Sequence, residues 1–266
     1  MPPLTKDTLK SLNNNMQKIK IALLLLSILL VFSCGGKPTA KPDETFDAEK
    51  AFAKANELMD KKEYEEARTA LLEIKNRDLT KKFAPLAQLR IADSYIKEEE
   101  PDRAIEEYRR FLEIHPEHKY ASYAQYQIAA IYFNQIESSE RGYGAASKAL
   151  EEFEKLKQMF PRNPYKDAIE IRIEKCKDTI ADYEFIVGTF YYKKDSYDAA
   201  IKRFESLLQR FPGFKKEADV LYHLAMSYKK LGKKDKAEEY FKRLIEKYPN
   251  NNLVPEAKKE LSSIKK

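Results

Sequence analysis

Two cysteines and three histidines are the side chains whose chemistry is easiest to identify in this chain. His115 and His118 lie on either side of a proline, and His223 has no second ligand at a spacing typical of a metal site. We interpret His115 as a packing residue, because Phe or Tyr precedes the matching proline in three other segments. Cys176 lies on the apolar side of a predicted helix, where we expect a buried thiol. Since phosphate-binding loops and nucleophile elbows are also absent, we expect no catalytic residue, no metal and no cofactor.

The second cysteine follows a secretion signal. Residues 21–32 are apolar or small, and Lys18 and Lys20 precede them, as in a signal peptide. Twelve residues fall short of the roughly 20 that a membrane-spanning helix needs. We therefore predict a signal peptide over residues 1–33, with Met16 as the more natural start.

The sequence Val31-Phe32-Ser33-Cys34-Gly35 resembles the lipobox of bacterial lipoproteins. That resemblance implies diacylation of Cys34, cleavage on its N-terminal side and N-acylation of the new terminus. The residue after the cysteine is Gly35 and not Asp, which under the enterobacterial sorting rule directs a lipoprotein to the outer membrane. Residues 34–44 contain two prolines and no apolar periodicity, so we expect them to form an extended tether.

The composition restricts the remaining classes of protein. The 43% of hydrophobic residues is too high for a disordered chain, and two cysteines are too few for a disulfide scaffold. The 49 basic residues nearly balance the 43 acidic ones and alternate with Glu instead of clustering. We therefore expect charged, solvated helix surfaces and no binding of nucleic acid.

Small residues recur along the body of the chain at fixed distances from large ones. A large residue follows each first small residue after three positions, and a second alanine follows twelve positions later in four of five cases. The first set is Ala55, Ala92, Ala129, Gly188 and Ala225, and the second is Ala67, Ala104, Ala149, Ala200 and Ala237. Four repeats then have a proline, which ends a helix. The pattern is typical of tetratricopeptide repeats, so we predict an all-α, right-handed superhelical solenoid of five repeats.

The spacing also predicts the organisation of the solenoid. The first small residues are 37, 37, 59 and 37 positions apart, and the long interval divides into an insertion around residues 137–144 and an elongated helix from about Pro164 to Tyr192. We predict five repeats within residues 45–251 and a C-terminal capping helix over residues 252–266. The repeats are expected at about 48–81, 85–118, 122–163, 164–214 and 218–251.

Aromatic side chains on the first helix of each repeat are expected to face a concave groove. This candidate substrate groove comprises Phe52, Tyr123, Tyr126, Phe133, Phe185, Tyr192 and Tyr222. Exposed aromatic rings in a curved groove suit an extended or hydrophobic peptide. Asn56 fits the carboxylate clamp of chaperone-binding repeats, but Phe52, Tyr123 and Gln127 stand where that clamp uses Lys or Arg, which disfavours a receptor for cytosolic chaperones.

The order of these features resembles the BamD family of outer membrane protein assembly factors. The features are a lipobox, a short proline-containing tether and five repeats, with an insertion in the third repeat and an elongated helix opening the fourth. The most specific part is residues 149–212, including Phe153-Glu-Lys-Leu156, Tyr191-Tyr192 and Tyr197-Asp-Ala-Ala200. The chain departs from the family in three features: its long helix is rich in lysine and glutamate, its C-terminal tail is short, and Gly188 replaces a more usual alanine.

The resemblance implies a lipid-anchored scaffold on the periplasmic face of the outer membrane. Its partners would be a BamA-type Omp85 insertase, other assembly lipoproteins and unfolded outer membrane protein peptides. Arg203 matches a family arginine near the insertase contact, although it could equally be a solvated cation. The alternative is a periplasmic repeat adaptor that coordinates envelope constriction or peptidoglycan synthesis, which the lipobox disfavours. A lytic transglycosylase would need a further catalytic domain.

Overall fold

A computed structural model of the chain describes residues 46–264. The signal peptide, Cys34 and the tether predicted from the sequence lie outside these residues. Within the described range the chain is helical and contains no β-strand. The helices are α1 (Ala48–Asp60), α2 (Tyr64–Arg77), α3 (Ala84–Lys97), α4 (Pro101–Ile114), α5 (Ala121–Asn134), α6 (Tyr143–Met159), α7 (Lys166–Lys193), α8 (Tyr197–Arg210), α9 (Glu217–Lys230), α10 (Lys234–Lys247) and α11 (Val254–Ile264).

Each helix packs mainly against its neighbours in sequence, so five helical hairpins stack in chain order and α11 covers the last of them. The ten small residues that define the repeat pattern are all buried, as are the large residues four and seven positions after each second alanine. Phe153, Phe204 and Phe241 are fully enclosed at these positions. Burial of one such ring contributes about 1.5–3 kcal/mol to folding. The predicted all-α repeat fold is confirmed.

The prolines end the second helices by restricting the residue before them. His115, Phe160, Phe211 and Tyr248 each precede a proline and have φ between −129° and −130°. A residue before proline is sterically disfavoured in the helical region, so these four helices stop at the same position of the repeat. His115 contacts Phe111 with ring centroids 5.3 Å apart, in agreement with its interpretation as a packing residue.

The first repeat lacks the proline and uses Asp78 instead. Its carboxylate accepts hydrogen bonds from the backbone amides of Phe83 (2.6 Å) and Ala84 (3.0 Å) at the start of α3. Burial alone would raise the pKa of Asp78, but these bonds and that from Thr80 lower it below its usual value. The ionised carboxylate thus joins the end of α2 to the beginning of α3.

The elongated helix α7 has 28 residues, twice the length of α3, α5 and α9. It begins at Lys166, two residues after the predicted start at about Pro164, because Asn163 forms a turn by donating to the Phe160 carbonyl and accepting from the Tyr165 amide. Its N-terminal half packs on the third hairpin through a buried set comprising Ile169, Ile173, Cys176 and Ile180. The predicted buried thiol is confirmed, and burial raises the pKa of Cys176 to about 11. Among the described residues, no helix is both long and apolar enough to span a bilayer.

The close packing of α7 against α8 in the fourth hairpin requires a glycine at position 188. A Cβ atom added there would lie 2.5 Å from a carbon of the Phe204 ring, which is itself completely buried. The departure from the usual alanine at this position therefore has a steric cause: the ring of α8 occupies the space of the missing methyl group.

We predict that Gly188→Ala lowers the free energy of unfolding by about 1–3 kcal/mol, because overpacking outweighs the roughly 0.5–1 kcal/mol that alanine normally adds to a helix. Urea denaturation would measure it. Gly144→Ala is the matched control, since no atom lies within 4 Å of its added Cβ. Equal behaviour of the two variants would contradict the proposed steric constraint.

Candidate binding surfaces

All seven aromatic residues assigned to a groove are half-buried. The structure does not join them in one continuous surface. It divides them into an N-terminal pair, a central pair that makes internal contacts and a C-terminal trio around a histidine. The three groups have different surroundings and are described separately.

The N-terminal group lines a cavity of about 330 Å³, which we call the N-terminal pocket. It combines residues of α1, α3 and α5 with the residue that precedes α5. The lining comprises Phe52, Leu86, Leu89, Arg90, Asp93, Tyr120 and Tyr123. Helix periodicity identified Phe52 and Tyr123 but missed Tyr120, because Tyr120 precedes the first turn of α5 and so lies outside the helix pattern.

A hydrogen-bond network holds the polar side of this pocket. The Asp93 carboxylate accepts from the hydroxyls of Tyr108 (2.5 Å) and Tyr123 (2.8 Å) and pairs with Arg90 at 3.4 Å. Arg90 Nε also donates to Asn56 at 2.9 Å. Burial and the neighbouring Asp93 raise the pKa of Tyr123 to about 12, so its hydroxyl remains a donor at neutral pH. The pocket is therefore apolar on one side and preorganised around a satisfied carboxylate on the other.

The central pair, Tyr126 and Phe133, links α5 to α7. Tyr126 stacks on Tyr165 with ring centroids 4.2 Å apart and accepts a 2.5 Å hydrogen bond from Arg172. The same guanidinium lies 5.4 Å from the centre of the Phe133 ring. These rings are engaged in cation–π and stacking contacts within the chain.

The C-terminal trio surrounds His223. Its imidazole lies edge-to-face against Tyr192 (5.1 Å), Phe185 (5.9 Å) and Tyr222 (6.0 Å). Nδ1 is 2.8 Å from the Asp219 carbonyl, which can only accept, so Nδ1 carries a proton. No group of three His, Cys, Asp or Glu side chains suited to a metal occurs within residues 46–264. We infer an aromatic contact surface here.

Arg203 forms an ion pair within the chain. Its Nη1 lies 2.9 Å from Glu184, whose side chain is only 4% exposed, and Arg210 reaches the same carboxylate at 3.6 Å. Glu184 occupies the repeat position of the buried Gln88 and Gln125. Arg203 itself is 45% exposed, so part of its guanidinium faces solvent.

The third repeat places its buried acid on the second helix, where Arg109 of α4 pairs with it at 2.9 Å. There Gln125 on α5 donates to Glu152 on α6 at 2.7 Å, whereas the fourth repeat has Glu184 on its first helix and Arg203 on its second. The interpretation of Arg203 as a simple solvated cation is therefore wrong: it compensates a buried acid. The sequence did not predict this role, because glutamate is usually exposed and the pattern of small residues does not indicate which polar side chains are buried.

Other carboxylates are buried in the same way at the joints between helices. Asp182 accepts from Lys215 (2.7 Å) and Lys216 (2.9 Å), and Glu217 accepts from Lys247 (2.6 Å). Burial would raise the pKa of each acid, but these hydrogen bonds outweigh it and lower the pKa below the usual value. Both groups therefore contribute stability at neutral pH that is lost as the pH falls through their folded-state pKa.

Comparison with known proteins gives one family and consistent relatives. The family model YfiO, described as "Outer membrane lipoprotein", matches residues 44–240, from ahead of α1 to within α10. "Outer membrane protein assembly factor BamD" of Neisseria gonorrhoeae is 28% identical over 254 residues, covering 90% of this chain and 95% of that protein. The protein of that name from Rickettsia prowazekii is 28% identical over 236 residues, covering 88% and 94%. Among solved structures, the "TPR2AB-domain:pHSP90-complex of yeast Sti1" is 19% identical, with a TM-score of 0.44, covering 77% of this chain and 78% of that one.

We predict that Arg203→Glu lowers the free energy of unfolding by about 3 kcal/mol, because it places a second carboxylate beside the buried Glu184. The double variant Glu184→Gln/Arg203→Glu should recover part of this loss, since it recreates the Gln–Glu hydrogen bond of the third repeat without the Arg109 cation that also pairs with Glu152 there. Chemical denaturation measures both.

Lys242→Glu is the control for net charge, since it changes an exposed side chain whose salt bridge, to Glu238, lies on the surface of its own helix. It should cost less than about 1 kcal/mol. If the single and double variants at the Glu184 site unfold at the same denaturant concentration, the ion pair does not stabilise the fourth repeat.

Proposed function

The chain belongs to the YfiO family of outer membrane lipoproteins, and we propose that it is a scaffold for the assembly of outer membrane β-barrel proteins. The observation that carries this function is the family match over residues 44–240, together with relatives named BamD that align along about 90% of the chain. A stack of helical hairpins with an aromatic pocket supports a binding role.

We propose that a lipid on Cys34 anchors the protein to the periplasmic face of the outer membrane. Cys34 lies outside the described residues, so the support comes from the lipobox and from the family description as an outer membrane lipoprotein. Two or three acyl chains would provide the anchor, because a single chain gives only reversible attachment.

Cys34→Ala should move the protein from the membrane fraction to the soluble periplasm, because the residue that carries the acyl chains is gone. Cell fractionation with immunoblotting measures the distribution. Cys176→Ala is the matched control and should stay with the membranes, since that thiol is buried in the helical core. Retention of Cys34→Ala in washed membranes would rule out this anchor.

The N-terminal pocket is the proposed site for barrel precursors. Its apolar wall of Phe52, Leu86 and Tyr120 suits an aromatic side chain at the end of an unfolded chain. Arg90 uses one N–H on Asn56 and another on Asp93, which leaves further donors for a terminal carboxylate. We infer that the pocket accepts a C-terminal aromatic residue with its free carboxylate.

The C-terminal repeats are the proposed site for a BamA-type insertase. Arg203 is half-exposed, and its ion pair with the buried Glu184, a carboxylate that Arg210 also reaches, fixes its position. A guanidinium held in this way presents its remaining donors to an acidic partner with little loss of side-chain entropy. The buried acid therefore supports a docking role for Arg203.

Two variants should separate these activities. Phe52→Asp should reduce binding of a synthetic peptide that ends in Phe by at least tenfold and leave the insertase bound, because it alters only the N-terminal pocket. Glu184→Gln/Arg203→Glu should reduce the co-purified insertase by more than tenfold and leave peptide binding unchanged, because it reverses a docking charge without a buried repulsion. Fluorescence anisotropy and affinity purification from envelopes provide the two measurements.

The controls are the same peptide with a C-terminal amide, which should bind more weakly, and Lys242→Glu, which should retain the insertase. Equal loss of insertase in both charge variants would indicate a nonspecific electrostatic effect. Purification of peptidoglycan-synthesis proteins in place of an insertase would instead favour the periplasmic adaptor.

A further inference from the structure

In the solenoid, one face of the first helix of a repeat packs against the preceding hairpin. If the first small residue is counted as position eight, this face consists of positions three, seven and ten. In the second, third and fifth repeats all nine residues there are buried. They are Ala87, Ile91 and Ser94; Ala124, Ile128 and Ile131; and Val220, Leu224 and Ser227. The stack thus defines a surface that is covered by helices wherever a hairpin precedes it directly.

The fourth repeat leaves the same face open. The third hairpin packs on the N-terminal half of α7, and its buried contacts end at Ile180, just before positions three, seven and ten further along that helix; at position three it adds one ring contact. These positions are Tyr183, Val187 and Phe190, and Ile186 lies beside them at helical spacing. Phe190 is 55% exposed and Ile186 is 37% exposed. We call Tyr183, Ile186, Val187 and Phe190 the α7 stripe.

The α7 stripe extends the buried apolar side of α7 past the point where the third hairpin covers it. Ile169, Cys176 and Ile180 precede it on the same side of α7 and are buried against the third hairpin. At the junction, the ring of Tyr143 from α6 lies 4.6 Å from that of Tyr183. Past this contact the apolar character of the helix persists, but the covering helices do not.

In the first repeat the same face is exposed to solvent, and its residues are charged. No hairpin precedes α1 within the described residues, and the equivalent positions are Lys50, Lys54 and Glu57, all exposed. Charged residues are the usual solution for the end of a solenoid. The apolar residues of the α7 stripe therefore indicate a face that is covered in the assembled state.

We propose that the α7 stripe binds an amphipathic helix of a partner protein, which takes the place of a preceding hairpin. A helix is favoured because helices cover this face in three other repeats, and because an added strand would need a sheet edge, which the described residues lack. The partner helix would carry apolar residues at i, i+3, i+4 and i+7. Lys193 and Lys194 are exposed at the end of α7 and have no salt bridge within residues 46–264, so acidic residues should flank that end of the partner helix.

A second copy of this chain is a weaker occupant. The stripe spans eight residues from Tyr183 to Phe190, or about 10 Å of helix. Its symmetric pairing would bury far less than the roughly 800 Å² per partner of a stable interface. A partner that is also held by other contacts in a membrane-bound assembly needs no such area at this site alone. The proposal does not depend on Arg203 or on the N-terminal pocket.

The test is site-specific photo-crosslinking in intact cells with the full chain. Benzoylphenylalanine would replace Ile186 or Phe190. Ile171 is the matched control, because it is 73% exposed on the same helix but lies 12 residues before the α7 stripe, about 18 Å along the helix axis. We expect at least tenfold more partner crosslink from positions 186 and 190 than from 171. Mass spectrometry should map the crosslink to a segment with the apolar helical pattern.

Phe190→Glu should abolish the crosslink from position 186, whereas Ile171→Glu should not. Phe190→Ala should weaken it and controls for any change in folding, which thermal melting monitors. Crosslinks to a second copy, to a segment without helical periodicity or to lipid alone would overturn the proposal, as would equal or absent yields at all three positions. Normal insertase co-purification with Phe190→Glu would show that such a failure is separate from the proposed assembly function.

Discussion

The close approach of paired helices at ten small residues is the constraint on which the rest of the molecule depends. Each helix pair is held at a distance at which only alanine or glycine fits between the backbones, and Gly188 shows the limit because even one methyl group would enter the Phe204 ring. A regular distance makes every hairpin similar, and similar hairpins can stack. The N-terminal pocket, the buried ion pairs and the α7 stripe all depend on how the hairpins stack and on where that stacking is interrupted.

Buried carboxylates are a second level of organisation. Desolvation of an acid is costly unless a cation and hydrogen bonds compensate it, so Asp182, Glu184 and Glu217 restrict which basic side chains can lie beside them. The third repeat has its buried acid, Glu152, on the second helix, whereas the fourth has Glu184 on the first. One effect is that a half-exposed cation, Arg203, occupies the repeat position of the buried Glu152. Structural compensation and the proposed docking role therefore use the same side chain.

The elongation of α7 divides the stack and changes its surface. A regular repeat covers the preceding face of the next repeat, but the additional turns of α7 carry the fourth repeat away from the third hairpin. The uncovered face is apolar, whereas the corresponding face of α1 is charged. The chain belongs to a family described as an outer membrane lipoprotein, and the proposed lipid anchor would place this surface among other membrane-bound proteins.

The sequence by itself determined the all-α repeat fold, the buried small residues, the ends of the four second helices that precede a proline, and the elongation of α7. These features depend on periodicity and on proline, which act within one or two turns of helix. Only the tertiary structure decided that the seven aromatic residues form three separate groups, that Arg203 compensates Glu184 and that the α7 stripe is uncovered. A residue's place in a helix fixes the side toward which it points, but its neighbours come from helices 19 to 46 residues away in sequence. Which of those side chains meet is set by the packing of whole hairpins, and that packing follows from volume and desolvation rather than from local pattern.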